Sequence, residues 1–82
     1  MKMTKQERII RWLKNGRGME EVESRTSKYR VLRSRNEKGE RFYFVGRNGA
    51  LRACSTKAAS KSVSISHLID EKLASWEKEN VL

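Results

Sequence analysis

Apolar side chains at Ile9, Ile10, Trp12 and Leu13 recur at the spacing of a helix with one buried side. Thr4 precedes Lys5-Gln6-Glu7, so its hydroxyl suits an N-cap and Glu7, three residues on, completes a capping box. Gly16 after Asn15 offers a left-handed stop, and the pattern predicts a helix over 5–15. Near the other end, Ile65, Leu68, Ile69, Leu73 and Trp76 form a second helical stripe. Asp70 and Glu71 lie where acidic groups suit a helix start, and this stripe predicts a helix over 66–79.

Between the helices the period changes to two. Lys28–Arg33 and Arg41–Val45 are rich in strand-forming side chains, and Asn36-Glu37-Lys38-Gly39 between them has the composition of a hairpin loop. Asn48-Gly49 is the strongest short signal for a two-residue type I′ turn, and it leads into a third strand over Ala50–Ser55. Residues 19–27 fit either an edge strand around Val22 or a loop, whereas 55–64 read as a mobile loop of small and basic residues. The expected fold is therefore α+β. It is a helix, a three-stranded antiparallel β-meander and a helix (α-β-β-β-α), with both helices packed on one sheet face.

Alternation assigns the faces. Phe42 and Phe44 share one, which is expected to be core with Tyr29, Val31, Leu51 and Ala53. Arg30, Leu32, Arg41, Tyr43 and Arg52 then point the other way. Leu32 and Val45 leave open a second reading, in which helix 1 or a partner subunit covers that face as well. A slip of one residue in register would exchange the assignments.

At 82 residues the chain is expected to form a single small domain over 1–82 with flexible ends. One cysteine permits no internal disulfide, and neither a secretory signal nor a bilayer span is present, so a cytoplasmic setting is the default expectation.

The net charge of +9 adds more, because it is segregated. Residues 1–18 hold six basic and one acidic residue, and 28–61 hold ten basic and two acidic; acidic residues outnumber basic ones in 19–27 and 62–82. Such segregation points to a polyanion, and nucleic acid, DNA or RNA, is the expected partner. On the predicted sheet, Lys28, Arg30, Arg41, Arg47 and Arg52 would supply cations and Tyr43 a stacking ring; on helix 1, Arg8 and Arg11 face away from the apolar stripe. The alternative is a small interaction or inhibitor module docking an acidic protein.

TKQERIIRWLKNG also resembles the opening helix of a winged-helix domain, but strands follow too soon to leave room for a helix-turn-helix. Helix 1 has too few large apolar residues to serve both the core and a membrane, so no membrane partner is expected. His67 and Cys54 are the only histidine and cysteine, thirteen positions apart and without a catalytic context. No enzyme activity, metal or cofactor is expected, and Cys54 is read as a packing residue.

Overall fold

The hydroxyl of Thr4 accepts the Glu7 backbone N–H at 3.1 Å and fixes the start of helix α1, Lys5–Arg11, in this computed structural model, which describes residues 3–57 and 59–80. Residues 1, 2, 81 and 82 of the expected flexible ends, and residue 58 of the expected mobile loop, lie outside the described residues. The helix continues through wider π-type turns over Trp12–Gly16. A Cβ at Gly16 would lie 2.7 Å from Trp76 Nε1 and 2.9 Å from Trp12 Cδ1, so this glycine permits close approach of the two indoles. The left-handed position is Gly18, at φ +66°, and not the expected Gly16.

The sheet has five antiparallel strands in chain order, not three: β1 Glu20–Val22, β2 Tyr29–Asn36, β3 Gly39–Gly46, β4 Leu51–Cys54 and β5 Val63–Ser64. β1 resolves the open reading of 19–27 as an edge strand, and β5 arises inside the segment expected to be a loop. β5 is missed by periodicity because it spans only two residues. The last helix, α2, is Asp70–Asn80, and Ser66–Leu68 forms a separate 3₁₀ turn ahead of it, so the expected continuous helix over 66–79 is divided. The element order becomes α-β-β-β-β-β-α.

The β3–β4 connection reverses one face assignment. Among the described residues only glycines have positive φ, so Asn48 cannot adopt a type I′ turn; Gly49 alone is left-handed, at φ +88°. Gly49 N–H donates to Gly46 O at 3.0 Å and Gly46 N–H to Ala50 O at 2.8 Å, the pattern of a three-residue loop closed by a glycine bulge. The extra residue brings Leu51 opposite Val45 and Arg52 opposite Phe44. Leu51 and Ala53 therefore share a face with Tyr43, and Arg52 shares one with Phe42 and Phe44, the reverse of the expected grouping.

Both helices cover the Tyr43 face. Ile9, Ile10, Trp12 and Leu13 of α1 and its π extension pack with Leu32, Val45 and Leu51 of the sheet and with Ile69 and Leu73 from the α2 end. Ile9, Leu13, Leu32, Val45 and Leu51 are fully enclosed, each contributing about 1.5–3 kcal/mol by burial. The main core is thus on the side expected to point outward, as the reading from Leu32 and Val45 anticipated. Val31, Phe42 and Phe44 form a smaller cluster on the helix-free side, with Val22, Tyr29 and Cys54 at its margin.

Candidate nucleic-acid interface

The arginines expected on one surface are distributed over two. Arg30 lies opposite Val45 on the helix side, and its guanidinium grips Glu21 with two hydrogen bonds, Nε to Oε2 at 2.7 Å and Nη2 to Oε1 at 2.6 Å. Lys14 Nζ reaches the same carboxylate at 3.1 Å. These partners, Arg30 first, hold the Glu21 carboxyl below its ordinary range. Arg8 is similarly bound to Glu77, at 2.9 and 2.5 Å, and ties α1 to α2. Arg11 is exposed, with Nη1 3.7 Å from Met3 Sδ.

Arg41 and Tyr43 remain together, but at the helix–sheet junction, where they line a groove with Trp12, Arg17 and Lys72. Arg52 lies on the opposite, helix-free side. Its Nε donates to Ser62 Oγ at 2.7 Å and its Nη2 to Ser62 O at 2.6 Å, which fixes the guanidinium against the chain leading into β5.

The segment between β1 and β2 supplies two clefts. Ser24, Arg25 and Thr26, with Lys57 and Ser60 opposite, surround a cleft of about 260 Å³ whose floor is Val31 and Phe44. Ser27, Lys28 and Tyr29 line the next, of about 450 Å³, with Gly46, Arg47, Asn48 and Ala50 of the β3–β4 connection. The two are consecutive because residues 24–29 border the first with one half and the second with the other. Tyr29, edge-on to Phe44 with ring centroids 6.0 Å apart, stands between them.

The described ion pairs all involve cations outside these clefts. Among the described residues the carboxylates engage Lys5, Arg8, Lys14, Arg30, Arg33 and Arg35. Glu20 and Glu40 thereby neutralise the end of β2 nearest the β2–β3 hairpin, through Arg33 and Arg35. No described ion pair involves Arg25, Lys28, Arg47 or Lys57, and no carboxylate lines either cleft. Cys54, at the margin of the same face, has its thiol held below the ordinary value, chiefly by hydrogen bonding from Thr56 and to a smaller degree by the charge of Lys61.

Of the residues singled out from sequence, Lys28 and Arg47 meet at one cleft and Arg52 shares its face, whereas Arg8, Arg11, Arg30, Arg41 and Tyr43 lie elsewhere. Arg25 and Lys57 were missed. Both stand in Ser/Thr-rich connections, SRTS and STK, and a hydroxyl-rich turn carrying an isolated cation is the signal that a strand-centred reading passes over. No group of three or more His, Cys, Asp or Glu able to hold a metal occurs among the described residues, and none of their helices is long and apolar enough to cross a membrane. No protein-family model, curated protein or solved structure matches this chain.

Proposed function

We propose that the domain binds nucleic acid through its phosphate backbone, along the helix-free side of the sheet. The observation that supports this reading is the segregation of ion pairs: the carboxylates neutralise the β2–β3 end and the α1–α2 contact, leaving the cations of the two clefts without an anion. Phosphates would occupy the clefts in succession. Arg25 and Lys57 would meet one and Lys28 and Arg47 the next, with Thr26 and Ser60 donating hydroxyl hydrogen bonds. Arg52, fixed by Ser62, would add charge from the sheet itself. Such contacts carry position rather than sequence, so weak discrimination between sequences is expected.

Anisotropy titrations with a labelled duplex and a labelled single strand, DNA and RNA, over a range of salt test the proposal. Four to five phosphate contacts give a log–log slope of about −4 on duplex DNA, and less on single strands. Arg25→Glu with Lys57→Glu should flatten that slope by about two contacts' worth. Absence of binding to all probes at low salt, or a slope unchanged in the variant, rejects the interface.

A further inference from the structure

One row of side chains crosses the helix side of the sheet, Leu32–Tyr43–Ala53–Val63, and its exposure runs from 0% at Leu32 to 63% at Val63. The helices cover the β2 end and leave the β5 end open. Beside it Leu68 is 57% exposed, so two of the three large exposed apolar side chains among the described residues lie within residues 63–68. Leu68 lines the groove of about 200 Å³ that also holds Arg41 and Tyr43; Trp12, Ile65 and Ile69 give it apolar walls, and Arg17 and Lys72 complete its cations. No carboxylate lines it. The neighbouring hollow on the α2 side contains Glu71 and Glu79 and shares Arg17 and Lys72 with the groove, so Arg41 is the groove cation that this hollow does not share.

The wall is held in place by backbone contacts. Ile65 N–H donates to Leu51 O at 2.9 Å, and Ser66 Oγ accepts from Leu51 N–H at 2.8 Å, so the segment carrying Leu68 is anchored to β4. Arg17 lies over the Trp12 ring at 5.8 Å, a cation–π contact that places its charge at the groove. An anchored apolar slot bordered by cations is the complement of an apolar side chain flanked by carboxylates.

From this complementarity we infer that the groove between α2 and strands β3 and β4 docks an acidic peptide segment of a partner protein, with a leucine- or phenylalanine-type side chain seated against Leu68 and Ile65. Its carboxylates pair with Arg41, Lys72 and Arg17. An exposed aliphatic wall suits a peptide side chain, and since Trp12 is only 6% exposed, Tyr43 is the one partly exposed ring of the groove on which a base could stack. The surface is separate from the phosphate clefts and lies on the other side of the sheet.

The probe is a labelled twelve-residue peptide in which aspartate and glutamate alternate with leucine and phenylalanine. Two controls accompany it, one with amides in place of the acids and one with serine in place of the apolar residues. The full chain should bind the first peptide, with amide shifts centred on Arg41, Ile65, Leu68 and Lys72, and bind both controls at least roughly tenfold more weakly. Leu68→Ser should weaken binding by roughly tenfold, the loss of one buried leucine contact. Arg41→Glu with Lys72→Glu should abolish it. These side chains lie outside the buried core, so an unchanged circular dichroism melt separates loss of binding from loss of fold. Arg25→Glu with Lys57→Glu should leave peptide affinity intact, which keeps failure of the two surfaces distinguishable. Equal binding of the serine control overturns the inference. So does a twelve-nucleotide single strand that shifts the same groove amides, or self-association of the chain that Leu68→Ser removes.

Discussion

Gly16 has room for a hydrogen and nothing larger, because the Trp12 and Trp76 indoles close over it. Gly16→Ala gains about 1 kcal/mol of helix propensity but introduces overpacking that costs about 1–3 kcal/mol. A net loss of up to about 2 kcal/mol is expected, read as a melting temperature lowered by up to roughly 16 °C; a stabilised variant would mean that the indoles move aside. Glu21 gives a second test at this scale. Its carboxyl is held below the ordinary value in the folded state, so its contribution is present above that value and is lost as pH falls through the folded one. Urea midpoints should therefore decline below about pH 4, and Glu21→Gln should flatten that decline. The effect is modest, under about 1 kcal/mol, because Glu21 is 26% exposed and Arg30 is 40% exposed. A decline identical in the variant would remove Glu21 from the account.

Among elements, the β3–β4 connection sets the phase of all that follows it. Deleting Ala50 while the three-residue loop is kept moves β4 along by one position, placing Leu51 opposite Gly46 on the helix-free side and Arg52 opposite Val45 beneath the helices. Burying that charge and exposing a core leucine should leave the deleted chain largely unfolded in a thermal melt; a melt like that of the parent would show that the connection does not set the register. The α+β class, both helices and the strands around Tyr29–Leu32 and Phe42–Val45 were legible because their periodicity is strong over many residues. β1 was legible only as one of two readings and β5 not at all, since three and two residues carry too little pattern and form by pairing with neighbours. Face assignment failed for a different reason. Asn48-Gly49 suits two loop lengths, and the choice depends on whether Asn48 takes a positive φ, which local composition does not decide. Of the candidate interface, Lys28, Arg47 and Arg52 were legible as unopposed charge. Arg8 and Arg30 looked alike in sequence, yet Glu77 and Glu21, 69 and 9 positions away, neutralise them.

For the whole molecule, a net charge of +9 becomes an address only because the acidic residues are placed so unevenly. Glu20, Glu21, Glu40 and Glu77 are engaged at the sheet margins and between helices, which leaves uncompensated field on either side of the sheet. The proposed nucleic-acid contact uses the helix-free side and the peptide groove the helical side, so occupation of one leaves the other open. The sheet is their shared wall. In β4, Ala53 lines the groove while Arg52, its immediate neighbour, belongs to the phosphate side. Under the two proposals the strand is read twice, once from each side, and selection acting on either partner falls on both. A variant chosen for tighter peptide capture through position 53 perturbs the backbone that aims residue 52, so the two specificities are expected to drift together across generations rather than separately.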